Sequence, residues 1–324
     1  MTQRLSRNRK KNPKTHSYKR SLARLPLMSV SLSAAALLIV PCLGAETAGR
    51  PKIYGIAYVK VKVTDLEKAK AFYGGVLGMA SSGSSCKGVA DPCFVVNPYQ
   101  HVELVRTGAG DRGSYLAEIG LTTSDVNQMR TYLTAKGIAA AQILRGMNGL
   151  RYFETQDPEH NKIAFVESTG EDAEIATPGL ISNRMFHAGF VVKDLKVESN
   201  FYKDILGFRL YWHGGIKDEG TDWYEIQAPD GDNWIEFMLN IPATADHKEL
   251  GVQNHFSLGV ANAQTAAEKL RAKGAKEFDG PEIGRDGKNA LDIYDPDWTR
   301  VELMEFTPVQ KPCCAEYTGP HPKP

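Results

Sequence analysis

Alternating apolar and polar positions mark short strands along most of this chain, and each run is followed at a similar distance by a helical pattern. YVKVKV and FHAGFVV alternate with period two before DLEKAKAFYGGVLGM and DLKVESNFYKDILGF, where the apolar residues shift to helical spacing. Asp65 and Asp194 stand where helix N-caps belong, and Gly78 and Gly207 stand where those helices stop. The two segments share Asp, Leu, Phe, Tyr, Leu and Gly at a constant offset of 129 residues, which identifies an internal repeat. Two further segments, YLAEIGLTTSDVNQMRTYLTAKGI and NHFSLGVANAQTAAEKLRAKGA, share a helix ending in Ala-Lys-Gly. Asp-Pro turns then precede the strands KIAFVE and RVELME. The predicted unit is a strand, a helix and several strands, repeated over about 53–106, 115–168, 184–240 and 253–306. The polar segment ESTGEDAEIATPGLISN links the two pairs of units.

Each unit offers two informative places: the start of its first strand and the middle of its last. In the third unit these hold His187 and Glu236, and in the fourth His255 and Glu302. A lone histidine beside an apolar face is ordinarily a packed, hydrogen-bonded residue. Four coordinating side chains at equivalent points of two units are a different matter. In WIEFM and RVELM, alternation turns each glutamate away from the face shared by its apolar neighbours. Carboxylates on the inner face of a curled sheet need a compensating partner, and a divalent cation held by two imidazoles and two carboxylates supplies one. The metal-free alternative has His187 paired with Glu236 and His255 with Glu302. In the first half, the matching positions hold Tyr58, Glu103, Glu118 and Ala164, so no metal is expected there.

The paired units, the DL…FY…LG helix and the VEL or IEF final strand resemble the vicinal oxygen chelate superfamily, which includes glyoxalase I, methylmalonyl-CoA epimerase, extradiol dioxygenases and bleomycin-resistance proteins. The resemblance covers residues 53–306. It implies an α+β fold of four βαβββ modules paired into two curved-sheet domains, 53–168 and 184–306, followed by a Pro/Cys tail, 307–324. It places the metal positions on His187, Glu236, His255 and Glu302, with one divalent ion (Zn, Ni, Mn or Fe) and a small-molecule substrate bearing vicinal oxygens. The four-ligand set is most similar to glyoxalase I and related isomerases, in which a metal-stabilised enediolate forms and Glu302, or secondly Glu236, is the base. An extradiol dioxygenase would use His187, His255 and Glu302. Against that pattern, Asp292 stands where a catalytic tyrosine is expected, Tyr294 is displaced, and no extra histidine lies near Asn289. A non-catalytic, bleomycin-resistance-like binding protein is the third reading.

Composition sharpens the picture at the ends. Apolar residues at 42% and charged residues at 24% give ample material for a core. The net charge of +1 conceals a basic arm: residues 1–45 hold nine Lys or Arg and no acid, leaving 30 basic against 38 acidic residues. The basic arm, the apolar run LPLMSVSLSAAALLIV and the small residues near Gly44 and Ala45 read as an export signal or an uncleaved membrane anchor. A start at Met28 is a further alternative. An acidic remainder without a basic stripe excludes a nucleic-acid role. Cys86 and Cys93 could close a short disulfide, and adjacent Cys313 and Cys314 could pair with each other or between chains. Arg285 and Lys288 are candidate contacts for an anionic substrate, and Trp212, Trp223, Tyr224 and His213 candidate pocket walls.

Overall fold

The computed structural model describes residues 49–81, 92–108, 115–146, 149–168 and 179–324. The candidate leader and Cys86 lie outside them. The first sheet has eight strands: β1 (Ile53–Val63), β2 (Ala80–Ser81), β3 (Cys93–Asn97), β4 (Gln100–Arg106), β5 (Leu116–Thr123), β6 (Leu144–Arg145), β7 (Arg151–Gln156) and β8 (Lys162–Glu167). The second has β9 (Met185–Val191), β10 (Arg209–Gly214), β11 (Trp223–Gln227), β12 (Trp234–Met238), β13 (His255–Val260), β14 (Asp279–Ile283), β15 (Asn289–Tyr294) and β16 (Arg300–Glu305). Their orders, β2-β3-β4-β1-β5-β8-β7-β6 and β10-β11-β12-β9-β13-β16-β15-β14, are the same path traced twice. In each sheet two units meet along their first strands, β1 with β5 and β9 with β13, and these central pairs are antiparallel.

The helices lie over one face of each sheet: α1 (Leu66–Lys70), α2 (Val126–Ala135), α3 (Leu195–Ser199), α4 (His247–Gln253) and α5 (Ala263–Ala272). Asp65 and Asp194 cap α1 and α3 as their spacing predicts, each accepting two backbone N–H bonds. Gly78 and Gly207 take φ of +74° and +82°, a left-handed conformation that ends these helices at little steric cost. The helices differ from expectation in one respect. After one α-turn each widens into a π-helical segment, Ala71–Val76 and Asn200–Ile205. The Phe-Tyr pair in each widened turn is buried, so these rings are core, as their spacing implies. Among the described residues no helix is long and apolar enough to cross a membrane.

The two halves are joined by reciprocal contacts between matching residues. Gln100 donates to the carbonyls of Ile56 and Met185 and accepts from the Met185 N–H; its counterpart Asn233 accepts from the Ile56 N–H at 2.9 Å. Tyr73 donates to Asp295 at 3.0 Å, and Tyr202 donates to Asp157 at 3.3 Å. Each Asp-Pro turn therefore anchors the helix of the opposite half.

One such contact has a pH consequence. Glu198 is fully buried and accepts only the Glu159 N–H, and burial, with Asp157 nearby, pushes its carboxyl up to about 8. Burial likewise raises Asp295 to about 7. A folded-state pKa above the unfolded one means that the folded chain holds the proton more tightly. This contribution is present below the unfolded carboxylate pKa and is lost as pH rises through about 8. Urea denaturation should show stability falling between about pH 5 and 8. Glu198→Gln should flatten that slope and add about 2 kcal/mol at pH 8.

His101 lies on β4, an interior strand of the first sheet, stacked on Tyr58 at 5.1 Å. His247 opens α4. His213, a candidate pocket wall, belongs to β10. Cys313 and Cys314 form a vicinal disulfide within the chain.

Candidate metal centre

Register puts the four singled-out residues on one face of the second sheet. Glu236 lies opposite Gly189 in the β12–β9 pair, and His255 lies opposite Gly189 in the β13–β9 pair. His187 and Glu302 both lie opposite Ser257. Alternation sends Phe256, Leu258, Val301 and Leu303 into the core and leaves the ligand-type side chains on the concave side. His187 Nε2 stands 3.0 Å from His255 Nε2 and 3.2 Å from Glu302 Oε2, and His255 Nε2 stands 3.1 Å from Glu236 Oε2. The histidines are thus closest to the glutamate of the other unit, because His187 and Glu236 are 3.8 Å apart. The pairing anticipated for a metal-free site is replaced by a crossed arrangement in which His187, Glu236 and His255 gather closely and Glu302 approaches through His187.

The donor set fits a divalent cation. One atom each of His187, Glu236 and His255 lies within 4.8 Å of the others, and Glu302 joins through His187. The backbone carbonyl of Gln253 lies 3.1 Å from His255 Nδ1 and can only accept, so Nδ1 carries the proton and Nε2 presents its lone pair inward. Burial depresses the His187 pKa well below the usual imidazole range, with His255 adding to the effect. It also lowers that of His255, with Arg300 contributing, so both rings are held in the neutral, ligating form. Burial raises the Glu302 carboxyl well above its ordinary value. It does the same to Glu225, which lies opposite Glu236. Glu225, Glu236, Asp292 and Glu302 crowd this face against the cations Arg300 and Lys288. Negative charge is in excess there, and a dication reduces it.

The first half shows how the same fold meets that demand without an ion. Registers match strand for strand, so Tyr58, Glu103, Glu118 and Ala164 occupy the positions of His187, Glu236, His255 and Glu302. Tyr58 donates to Glu118. Lys60 Nζ lies 3.1 Å from Glu103 and 3.6 Å from Glu118, an ammonium placed between the two carboxylates. Burial works against the charge on Lys60, yet Glu118 and Glu103 hold its pKa above the usual value. The counterpart of Lys60 is Gly189. A Cβ there would meet His255 Cε1 at 2.2 Å, so the glycine makes room for the ligand ring and removes the internal cation together.

A family model described as the Glyoxalase/Bleomycin resistance protein/Dioxygenase superfamily matches residues 55–165 and 184–303, one copy for each half. The chain belongs to this superfamily. Among curated proteins no sequence matches significantly. Solved structures share the superfamily fold at low identity. Homoprotocatechuate 2,3-dioxygenase from Brevibacterium fuscum, in complex with 3,4-dihydroxyphenylacetate, is 18% identical with a TM-score of 0.57, covering 84% of this chain and 84% of that chain. The 2,3-dioxygenase LapB from Pseudomonas sp. KL28 is 15% identical with a TM-score of 0.60, covering 85% and 95%. The Arthrobacter globiformis homoprotocatechuate 2,3-dioxygenase is 19% identical with a TM-score of 0.59, covering 80% and 82%.

Within this superfamily fold, several contributors to the site escape the sequence pattern. Arg300, two residues before Glu302 on the same face, places Nη2 2.9 Å from His255 Nε2 and Nη1 3.3 Å from Asp292. Trp234 packs on His187 with ring centroids 4.9 Å apart. The offset that aligns the repeats also aligns Lys60 with Gly189, the signal from which the charge exchange could have been read. Of the other candidates, Tyr294 lies opposite Arg300 on the same face as Asp292 and donates to Asp279 at 2.8 Å. Tyr224 stacks on Phe237 on the core face, Trp212 is buried, and Arg285 bonds Asp218 and the Gly215 carbonyl. Lys288, the other candidate contact for an anion, is completely buried.

Proposed function

We propose that the second half is the working half and that it is a divalent-metal site of an isomerase or lyase type. His187, Glu236, His255 and Glu302 would hold the ion, which supplies Lewis acidity to neighbouring oxygens of a small substrate. The observation that carries this reading is the gathering of His187, Glu236 and His255, with Glu302 beside His187, at a position where the first half carries a lysine ammonium. Glu302, with Glu236 second, is placed to take a carbon-bound proton from a carbon beside those oxygens and return it to the adjacent carbon. The nearly complete burial of both imidazoles keeps bulk water from competing for that proton. Arg300 offsets the charge of Asp292, and its Nη2, which faces the His255 Nε2 lone pair, would give way to the ion there.

A dioxygenase is the second reading, favoured by the fold likeness to ring-cleaving enzymes. Asp292 at the expected tyrosine position weighs against it, and the Tyr294 hydroxyl is bonded to Asp279. We further propose export of the chain, on the basic, apolar and small-residue order of its first 45 residues. Hydroxyketone and 2-ketoaldehyde substrates incubated in deuterated solvent should incorporate deuterium at carbon in the metal-loaded protein but not in Glu302→Gln. Dioxygen uptake with catechols and no exchange would replace the first reading by the second, and neither activity would favour a binding protein.

A further inference from the structure

Beside the metal centre, beyond Trp234, the cup is filled by the chain's own C-terminus. Residues 307–324 carry no helix or strand, yet they run against β10 and β11. The ties are scattered along its length. Val309 and Gln310 N–H donate to the Gly287 carbonyl at 2.9 and 3.3 Å, Cys313 N–H to the Arg285 carbonyl at 2.8 Å, and Trp212 Nε1 to the Cys313 carbonyl at 3.3 Å. The Tyr317 hydroxyl donates to Asp286, the Thr318 N–H to the Tyr211 carbonyl at 2.9 Å and its hydroxyl to the Leu210 carbonyl. Gln227 Nε2 donates to the Pro320 carbonyl at 2.8 Å, and Tyr211 Oη pairs with His321 Nδ1 at 2.6 Å. A terminal segment held by separate bonds withdraws without breaking a strand ladder.

Under the segment lies Lys288, whose ammonium is fully buried and has no hydrogen-bond partner among the described residues. Its nearest carboxylate oxygen, on Asp286, is 3.9 Å away. Rings surround it: Trp234 at 4.0 Å, Tyr317 at 5.0 Å, Tyr211 at 5.3 Å and Phe186 at 6.0 Å from Nζ to centroid. Three of these belong to the sheet, and only Tyr317 belongs to the strap. Trp234 Nε1 is a second buried donor without a partner. A buried ammonium and an indole N–H, both unsatisfied and walled by aromatic faces, match a planar ring carrying an anionic group. Tyr317 already places such a ring there, 4.7 Å from Tyr211, with its hydroxyl donating to Asp286.

The geometry points to an autoinhibitory strap: Tyr317 plugs a subsite, floored by Lys288 and walled by Phe186, Tyr211 and Trp234, that an aromatic carboxylate enters when residues 307–324 withdraw. The proposal rests on the second half being the binding half, not on the metal. It is tested with benzoate on chelator-treated full-length protein, so its failure is separate from failure of the metal reading. Calorimetry should show Tyr317→Ala binding benzoate at least ten-fold more tightly than the wild type, with a much smaller gain in Tyr317→Phe, which keeps the ring and loses only the bond to Asp286. Adding Lys288→Met should remove the gain, and neutral benzyl alcohol should not share it. His321→Ala, which releases one tie and leaves the plug in place, should give a smaller gain and serves if Tyr317→Ala does not fold. No gain in either strap variant, a gain that survives Lys288→Met, or an equal gain for benzyl alcohol would overturn the proposal.

Discussion

Lys60→Met is expected to destabilise the protein by about 3 kcal/mol, because removing one member of a buried ion cluster leaves the desolvation cost of the others in place. Lys60 is the ammonium shared by Glu103 and Glu118, whose side chains are 5% and 4% exposed. Methionine keeps most of the stem volume, so the loss reports charge more than packing. Glu118→Gln in the Lys60→Met background should recover part of the loss, while Glu118→Gln alone should be mildly destabilising. Urea denaturation of the four proteins gives the coupling directly. Additive effects would mean that Lys60 does not serve as the internal cation of the first half.

Gly189→Ala should damage the second half through geometry. The added methyl would lie 2.2 Å from His255 Cε1 and 2.6 Å from Nδ1, in the middle of a sheet where neither strand can retreat. Overpacking of this kind costs about 2–3 kcal/mol. Displacing the ring from the Gln253 carbonyl should also weaken metal binding on the order of 100-fold, as loss of outer-shell orientation does elsewhere. Gly120→Ala is the matched control. Its methyl would meet Tyr58 at 2.1 Å, so it should cost comparable stability and leave metal affinity unchanged. Equal loss of affinity in both variants would show that general destabilisation, rather than the His255 position, was being measured.

The large features of this structure are written locally in the chain. Alternation gave the strands and the offset of 129 gave the repeat, because each sheet has one face that must be apolar and one that need not be. The same alternation placed Glu236 and Glu302 away from the core, and equivalence of units brought His187 and His255 beside them. What stayed hidden depended on contacts between distant residues. The π-helical turns, which carry the buried Phe and Tyr pairs, are not encoded by an α-helical period. The crossed pairing of histidines and glutamates depends on strand register across two units. Lys288 sits in a Gly- and Asp-rich stretch with the local character of a solvated turn, and only Tyr317, 29 residues later, closes the cage around it. Arg300 was legible in principle, since it alternates with Glu302, but a charged residue at a strand start ordinarily faces solvent.

The exchange of Lys60 for Gly189 is what ties fold to chemistry. One sheet carries its cation covalently, and the other keeps one carboxylate at Glu236, gains another at Glu302 with two neutral imidazoles, and loses the lysine. Elemental analysis of the purified full-length protein after incubation with Zn, Ni, Mn or Fe(II) and removal of free ion tests this most directly. About one tightly held divalent ion per chain is expected, lost in His187→Ala and in Glu302→Ala and retained in Glu103→Ala. A wild-type protein that remains metal-free, or an ion that persists in both second-half variants, would contradict it.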